Sequence, residues 1–382
     1  MTAQSGAFDW AGKLRTDSTF NIFDTHVDEH SNFYLTGGFT GNVDFDPSSG
    51  LSVLRSIGRM DIFIAKYDRN GNLKWAKQMI SQDSSKFHYF NRMSGKAILT
   101  DKNGNIYYTG TFYGTVDFDP GSGTDIRTAT STDVFLSKLD SNGNLVWFSH
   151  FETILRGGYN YSQAMTLDGK NHLLISGIFQ GIIDFDPGPG IDTISSPKYK
   201  NQYSEATYIC KYDLNGNHIW AKRIGALYGH CGVITMNSDT LSNVYLGGSF
   251  WGKVDFDPDT GTFIGEATPG ASSSGFLTKL DSNGYFSFAK IFIPNYPDYN
   301  QSTNVGVTNI NIKNNGNILL SGGFTGKVDF DPDTGKHYLY SHSDQNYLFI
   351  IELNHIGALN WVIDFDGLNS GSMPVAMDDS DN

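Results

Sequence analysis

Cysteine is scarce in this sequence, with only Cys210 and Cys231 in a chain of 382 residues. Two cysteines exclude a disulfide scaffold and a cysteine-rich zinc site. They are expected either to pair with each other, if the fold brings them together, or to remain free, buried thiols. Long apolar runs are also missing, because no stretch of about 18 apolar residues exists to form a transmembrane helix. Basic residues are too few for phosphate binding, since the formal net charge of −13 argues against a nucleic-acid partner.

Glycine and aromatic residues are abundant. The chain holds 43 Gly, 20 Tyr and 27 Phe, whereas charged residues make up 18%. Hydrophobic residues account for 39%, which is too rich for a disordered chain. This mixture indicates many β-strands joined by tight turns, and the acidic balance is compatible with cation binding.

A five-residue string recurs along the chain and establishes an internal repeat. It reads VDFDP in four copies and IDFDP in one, at 43–47, 116–120, 183–187, 254–258 and 328–332. The successive spacings are 73, 67, 71 and 74 residues. Each copy follows a glycine–aromatic segment such as GGFTG at Gly37 or GTFYG at Gly110.

Two further signatures complete one repeat. An apolar run with a polar turn precedes the glycine–aromatic segment, as in AILTDKNGNIYYTG, and a segment such as DVFLSKLDSNGNLVW follows VDFDP. Period-2 alternation predicts four strands per repeat, A to D. In the second repeat they are expected at 97–100, 106–118, 134–139 and 145–151. Asn and Gly tolerate positive φ, so the Asp-x-Asn-Gly-Asn links between A and B and between C and D are expected to be hairpin turns.

Four-stranded units repeated along a chain predict an all-β fold, a β-propeller of four-stranded antiparallel blades. A solenoid repeats every 20–30 residues or so, and a sandwich needs about seven strands, so both alternatives fit less well. One propeller domain over 1–382 is expected, with five complete repeats of about 72 residues. The complete units lie at approximately 21–79, 93–151, 162–224, 232–292 and 306–365.

The two ends carry strands that are out of phase with these units. Residues 5–14 match a D strand, and residues 374–382 match an A strand. The two are not neighbours within one blade, which favours a chain cut from a longer array with an undecided ring size. The alternative is a closed five-blade ring in which one terminal strand is displaced.

The repeats resemble the SBBP-type β-propeller repeats of secreted and surface proteins of bacteria. The resemblance rests on NGNIYYTG, on VDFDP and on the pattern F-x-x-K-[YL]-D-x-N-G-N-[LH]-x-W, and it covers nearly the whole chain. It implies a propeller fold and an extracellular or cell-surface location, although the chain shows no signal peptide. The family supplies no catalytic residues.

The paired aspartates of the VDFDP strings are the candidate metal ligands. The two carboxylates of one pair point to the same side of a strand, and Ca²⁺ takes about six to eight oxygen ligands. The ten residues are Asp44, Asp46, Asp117, Asp119, Asp184, Asp186, Asp255, Asp257, Asp329 and Asp331. The alternative is a cap on the D-P-x-x-G turn, in which Gly50, Gly123, Gly190, Gly261 and Gly335 take a positive φ.

Ligand binding is expected on the long-loop face, which carries the B–C and D–A connections, because loops on a rigid scaffold carry function. The candidate ligand-binding aromatics are Tyr113, Tyr159, Tyr161, Tyr228, Trp251, Tyr296 and Tyr299. The recurring aromatics are instead expected to pack in the core or between blades. They are Phe39, Phe112, Phe179, Phe250 and Phe324, and on strand D Trp75, Trp147, Trp220, Phe288 and Trp361.

These patterns predict a non-enzymatic extracellular module that acts as a structural or protein-interaction domain, with calcium as a candidate stabiliser. The main alternative is a glycan-binding, lectin-like adhesin, because sugars stack their apolar faces on aromatic rings. A glycoside hydrolase or lyase is a remote alternative that requires two carboxylates about 5–10 Å apart. The expected partner is a protein or a glycan, with no nucleic acid and no membrane insertion. Nothing in the sequence indicates an oligomeric state.

Overall fold

The computed structural model describes residues 10–58, 60–82, 93–154, 158–295, 303–342 and 345–366. Within these ranges every regular element is a β-strand, and all named strand pairs are antiparallel. The all-β prediction is therefore confirmed. The described part of the chain contains no helix that is long and apolar enough to cross a membrane. The chain divides into two compact units, Met1–Glu152 and Thr153–Asn382.

The first unit contains repeats one and two. Its strands β1 to β11 are Arg15–Thr16, Phe20–Val27, Phe33–Phe39, Asn42–Asp44, Val53–Arg55, Asp61–Tyr67, Leu73–Ser81, Ser94–Thr100, Ile106–Asp117, Ile126–Leu139 and Leu145–Phe151. Repeat one is the sheet β2-β3-β6-β7, and repeat two is the sheet β8-β9-β10-β11. Both sheets keep the order A-B-C-D, and the four strands predicted for repeat two are confirmed.

The second unit contains repeats three, four and five. Its strands β12 to β29 are Tyr159–Leu167, Leu173–Gln180, Ile182–Asp184, Thr193–Ser195, Lys198–Tyr199, Gln202–Tyr203, Ala206–Tyr212, His218–Ser238, Val244–Asp255, Ile264–Glu266, Ser274–Leu280, Phe286–Asn295, Asn304–Ile312, Ile318–Thr325, Lys327–Asp329, Tyr338–Tyr340, Tyr347–Leu353 and Leu359–Phe365. The repeats are β12-β13-β18-β19, β19-β20-β22-β23 and β24-β25-β28-β29. Strand β19 serves repeats three and four alike.

The B–C connection of each repeat is a β-hairpin whose tip is the VDFDP segment. In repeat one, Asn42–Asp44 pairs with Val53–Arg55, and Phe45 N–H donates to the Ser52 carbonyl at 2.9 Å. The same hairpin occurs in the other four repeats. These connections were expected to be long loops, but the chain pairs with itself on both sides of the turn. The backbone polar groups are thereby satisfied close to the surface.

Each junction between repeats within a unit joins the end of strand D to the next VDFDP hairpin. In the first unit β7 pairs with β9 at Asp117. In the second unit β19 pairs with β20 at Asp255, and β23 pairs with β26. Strand β1 lies directly after residues 5–14, the segment predicted as an extra D strand, and pairs with Asp44 and Val43 in the same way. Residues 10–14, the described part of that segment, form no strand. The VDFDP segment therefore connects successive repeats as well as closing its own hairpin.

The core of each repeat is a cluster of fully buried aromatic and aliphatic side chains. The phenylalanine of every VDFDP copy packs against an aromatic residue of strand C, with ring centroids 4.7–5.1 Å apart. The recurring Phe of strand B is also fully buried in all five repeats, so its predicted core role is confirmed. Cys210 and Cys231 are free and buried, and burial raises the pKa of the Cys231 thiol to about 12.

Candidate functional site

The first aspartate of each VDFDP copy accepts two backbone N–H groups across its hairpin. In repeat three, Asp184 Oδ1 accepts from Asp186 N at 3.1 Å and from Asp192 N at 2.9 Å. The partners two and eight residues further on recur for Asp44, Asp117, Asp255 and Asp329. These bonds lower the pKa of Asp44, to which Ser52 N–H contributes most and Arg15 adds an ion pair at 2.8 Å. The carboxylate thus fixes the width of the hairpin.

The second aspartate caps the turn itself. Asp186 Oδ1 accepts from Gly188 N at 2.8 Å, and the other four copies make the same contact two residues on. A carboxylate that accepts a backbone N–H two residues later is a typical turn cap. The structure therefore shows the hydrogen bonds that the turn-cap alternative requires.

The glycine of the D-P-x-x-G turn was given the wrong role. The expectation of a positive φ at Gly50, Gly123, Gly190, Gly261 and Gly335 is wrong, since none of these described residues is among those with a positive φ. The reason for glycine is close approach. A Cβ at Gly190 would lie 2.0 Å from Asp186 Oδ2, and the other four positions give 2.0–2.3 Å. Positive φ occurs instead at the glycine two residues after the recurring Phe, such as Gly41 with φ 68°.

Calcium binding at these carboxylates is not supported by a ready-made cage. Among the described residues, no group of three His, Cys, Asp or Glu side chains is placed to hold a metal ion. One oxygen of each first aspartate already accepts two N–H groups. A calcium ion would need about six to eight oxygens, so most would have to come from carbonyls and water. Calcium binding by the ten aspartates stays a prediction.

Substitution of Asp184 distinguishes a carboxylate that accepts hydrogen bonds within the hairpin from one that binds calcium. We expect Asp184→Ala to lower the free energy of unfolding by about 1–3 kcal/mol, because it leaves two N–H groups without their carboxylate acceptor. Asp184→Asn is expected to cost less, since its amide oxygen still accepts both. Urea unfolding measures the two losses. Thermal melts with and without EDTA should coincide, whereas a lower melting temperature in EDTA would support calcium instead.

The long-loop end of a repeat is where strands B and D end and strands A and C begin. At this end, in repeats three to five, a residue near the start of strand A faces the residue after the recurring Phe of strand B. The facing pairs are Tyr159 with Gln180, His230 with Trp251, and Asn304 with Thr325. Residues directly opposite each other on antiparallel strands have neighbouring side chains. These pairs differ among repeats built on one scaffold, as expected of positions that determine binding specificity.

Repeats three and four bring several of these residues into one cluster around Glu205. Tyr159 OH donates to Glu205 Oε1, and His230 Nδ1 donates to Glu205 Oε2. Tyr159 and Tyr161 are in ring contact at 5.3 Å. Glu205 lies directly before β18, at the start of strand C. The cluster therefore combines the starts of strands A and C of repeat three with the start of strand A of repeat four.

An insertion found in repeat three positions Glu205. The B–C connection of this repeat contains an extra hairpin, Lys198–Tyr199 paired with Gln202–Tyr203, which is closed by Ser204 N donating to the Pro197 carbonyl at 2.7 Å. From the VDFDP proline to the start of strand C, the chain runs from 187 to 206 here but from 120 to 133 in repeat two. Glu205 follows this hairpin at once, so the insertion sets its place.

The electrostatics of the cluster keep Glu205 ionised. The hydrogen bond from His230 lowers the pKa of the Glu205 carboxyl, and the bond from Tyr159 acts in the same direction. Burial and the neighbouring carboxylate raise the pKa of Tyr159. The pair is only partly desolvated, because both side chains remain about 30% exposed. An ionised, partly exposed carboxylate beside an imidazole and aromatic rings is suited to hydrogen bonding and stacking with a ligand.

Exposed aromatic rings lie on the same strands as this cluster. Trp251, opposite His230, is 50% exposed, and Tyr228 is 39% exposed. Tyr228 contacts Tyr199 of the extra hairpin, with ring centroids 6.0 Å apart. Large exposed aromatic side chains are typical anchors of binding interfaces. We name Tyr159, Tyr161, Tyr199, Glu205, Tyr228, His230 and Trp251 the repeat-three/four rim.

Four of the predicted ligand-binding residues belong to this rim. They are Tyr159, Tyr161, Tyr228 and Trp251. Tyr113 lies in the first unit, on β9, and Tyr296 and Tyr299 lie outside the described residues. Sequence reasoning missed Glu205, His230 and Tyr199. The unequal length of the repeat-three B–C connection was the signal that could have identified Glu205 and Tyr199.

Comparison with known proteins places the chain near one curated relative. No family model matches it, so the resemblance to SBBP repeats stays a prediction. An uncharacterized WD repeat-containing protein of Acanthamoeba polyphaga mimivirus is 25% identical in a match of 260 residues, and the match covers 57% of this chain. The match spans 17% of the length of that relative. A crystal structure of a protein of unknown function from Bacteroides caccae is 8% identical, with a TM-score of 0.33, over 79% of this chain and 90% of that chain.

Proposed function

We propose that the chain is a β-propeller whose repeat-three/four rim binds a protein partner. Four-stranded units in the order A-B-C-D are the blades from which propellers are built. The viral relative named for its WD repeats supports this reading, since WD repeats form blades of four strands. An extracellular or cell-surface location is part of the proposal and rests on the resemblance to SBBP repeats.

The variation at the rim is the observation that carries the proposal. VDFDP hairpins and glycine turns recur in every repeat and have structural explanations. Among the described residues, the extra hairpin, Glu205, His230 and Trp251 have no counterpart at the equivalent positions of the other repeats. Selection for folding alone does not require a half-exposed tryptophan within strand β20. A surface of rigid aromatics around a hydrogen-bonded carboxylate matches the composition of protein-binding hot spots.

Rim variants test the proposal. We expect Trp251→Ala with Tyr228→Ala to weaken partner binding about thirtyfold or more, because truncated hot-spot aromatics cost about 2 kcal/mol or more. Cross-linking in an extract of the source cells would capture candidates, and titration with each purified candidate would measure the loss. Tyr285→Ala is the matched control, since Tyr285 is 57% exposed in the C–D turn at the other end of repeat four. Equal binding by the rim variant and the control would contradict the proposal.

Glycan binding is the second candidate at the same rim. The contact between Tyr159 and Tyr161 beside an ionised Glu205 favours it, because a sugar can stack on the rings and donate hydroxyls to the carboxylate. A glycan array with and without chelator separates the candidates. Binding that is lost in the rim variant but kept in Tyr285→Ala would identify a lectin, and the chelator arm would show whether calcium takes part.

A further inference from the structure

Strand D of one repeat packs three successive inward positions against the next repeat. In repeat one these positions are Trp75, Lys77 and Met79, and Met79 is fully buried. A Cβ added at Gly143, in the C–D turn of repeat two, would lie 3.0 Å from Lys77 Cε and 3.3 Å from Trp75 Cζ2. The lysine stem and the tryptophan ring therefore cover the turn together.

The same arrangement recurs twice in the second unit. A Cβ added at Gly284 would lie 3.1 Å from the Lys222 side chain and 3.3 Å from the Trp220 ring. A Cβ added at Gly357 would lie 2.6 Å from the Lys290 side chain and 3.1 Å from the Phe288 ring. In all three junctions, an alkyl stem of lysine fills the space between the strand-D aromatic and the following repeat. Long cationic side chains commonly cover apolar surface in this way.

The segment before repeat one follows the pattern except at the lysine position. Trp10 takes the aromatic position and lies 2.8 Å from a Cβ at Gly71, while Leu14 packs on the core of repeat one. The position that corresponds to Lys77, midway between Trp10 and Leu14, is occupied by Gly12. No side chain at position 12 fills the space that Lys77 fills in the following junction.

A pocket of about 240 Å³ occupies this place. Its walls include Trp10, Leu14, Ile22, Phe33, Leu35 and Tyr67. Trp10 and Phe33 meet edge to face at 5.8 Å, and Trp10 is 42% exposed, so solvent reaches the pocket past its ring. A cavity of about 150 Å³ with apolar walls is large enough to bind benzene.

Ion pairs hold the lysine ammonium groups at the two filled junctions of the second unit, whereas the position equivalent to Asp259 is Gly121 in the repeat that follows Lys77. Lys222 pairs with Asp259 at 2.6 Å, and Lys290 pairs with Asp333 at 2.5 Å. The corresponding residue of repeat one is Ser48, whose carbonyl accepts from Arg15. The Tyr67 hydroxyl donates to the Phe45 carbonyl at 2.9 Å. The pocket favours an uncharged group because its walls are mainly apolar and aromatic side chains.

We propose that this pocket binds one uncharged apolar side chain, of leucine or phenylalanine size, from a partner protein. The proposal rests on the protein-binding function proposed above but uses a different surface. The half-open pocket gives an anchor of the kind that fills a hot-spot pocket in a protein interface. The alkyl stems of Lys77, Lys222 and Lys290 show what fills the equivalent space elsewhere in the chain.

The test compares Gly12→Lys with Gly12→Ala. Lysine restores the stem found at the other junctions, whereas alanine adds only a Cβ, which would lie 3.0 Å from Pro47 Cβ in both variants. The probes are N-acetyl-leucinamide, N-acetyl-phenylalaninamide and N-acetyl-lysinamide, titrated while the methyl signals of Leu14, Ile22 and Leu35 are followed by NMR. We expect millimolar Kd values, on the order of those that small fragments reach, for the two apolar probes.

The expected result is at least about tenfold weaker binding of the apolar probes to Gly12→Lys, with Gly12→Ala close to the parent. N-acetyl-lysinamide should bind weakly to all three proteins. Ile22→Lys, at a 45% exposed wall residue, should also weaken the apolar probes without filling the pocket. Equal affinities for lysine and leucine amides, or unchanged binding in both Gly12→Lys and Ile22→Lys, would overturn the proposal. Tighter probe binding after removal of residues 1–9 would assign the pocket to the chain itself and equally overturn it.

Partner binding separates this proposal from the function proposed for the rim. If Trp251→Ala with Tyr228→Ala abolishes binding of a captured partner while Gly12→Lys leaves it unchanged, the rim function stands and the pocket proposal is wrong. Loss of binding in both variants supports both. Loss in Gly12→Lys alone supports the pocket and contradicts the rim.

Discussion

Alanine at Gly322 is expected to lower the free energy of unfolding by about 3 kcal/mol or more, the upper range for overpacking. A Cβ at this position would lie 1.9 Å from the Gly306 carbonyl oxygen on the facing strand A. The register shifts beside this contact, between Val307 and Asn309, so the strands approach at a β-bulge. Because the obstacle is backbone, no rotamer change relieves the clash. The pairing of strands A and B must move.

Gly306→Ala is the matched control for this substitution. The nearest atom to its Cβ would be Ser249 Cβ at 3.7 Å, an ordinary contact. Alanine there reduces the entropy of the unfolded chain and is expected to stabilise the fold by about 0.4–1 kcal/mol. Urea unfolding of both variants gives the comparison. Similar free energies for the two would contradict the close approach. Gly37, Gly110, Gly177 and Gly248 meet the same carbonyl position at 1.8–2.2 Å.

Phe256→Ala is expected to destabilise the second unit by about 3–5 kcal/mol, the usual range for truncation of a buried phenylalanine. Phe256 is fully buried in the VDFDP hairpin of repeat four, 5.0 Å from the ring of Phe276 and 5.2 Å from that of Phe250. The substitution leaves a cavity between strands B and C. Denaturant unfolding, followed by near-ultraviolet circular dichroism, measures the loss.

Phe263→Ala gives the control within the same hairpin. Phe263 is partly exposed, and its carbonyl accepts from Phe256 N at 2.9 Å. The backbone bond survives in both variants, so the difference between them reports side-chain burial. Equal losses would mean that Phe256 contributes through the hairpin backbone and not through the core.

The repeated elements were predictable because each VDFDP copy carries its own physical pattern. The alternation of Val43, Asp44, Phe45 and Asp46 predicted that the two apolar side chains point to one side of the strand and the two carboxylates to the other. Val43 and Phe45 are fully buried, and Asp44 is buried as well. Turn residues between C and D gave the hairpins directly. Because the pattern occurs five times, a strand predicted in one repeat is also predicted at the equivalent position of the other four.

The turn glycines were misjudged because two physical reasons call for glycine. A turn residue with positive φ is usually glycine, and so is a residue whose backbone lies against a carboxylate. The sequence shows glycine in both cases and does not tell them apart. At Gly190 the second reason applies, with Asp186 Oδ2 2.0 Å from the place of a Cβ. The expectation chose the first because D-P-x-x-G resembles a type of turn that needs positive φ.

The contacts that join Tyr159, Glu205 and His230 were beyond sequence reasoning because these residues are far apart in the chain. Tyr159, Glu205 and His230 meet since antiparallel order brings the starts of strands A and C to one end of a sheet. Periodicity places the two A-strand residues at equivalent positions, but their side-chain chemistry does not recur, and among the described residues the extra hairpin is confined to repeat three. Residues that occur once carry no repeat signal, and tertiary contact decides their partners.

The strand that repeats three and four share has a consequence for cooperativity. His218–Ser238 runs 21 residues without interruption and pairs with β18 at one end and β20 along the other. Opening either repeat exposes backbone amides that belong to the same strand as its neighbour. Nearest-neighbour coupling in repeat proteins is usually a matter of side-chain contact across an interface. Here the shared strand adds a second coupling through its backbone hydrogen bonds. Native-state hydrogen exchange should therefore show repeats three and four opening together as one foldon.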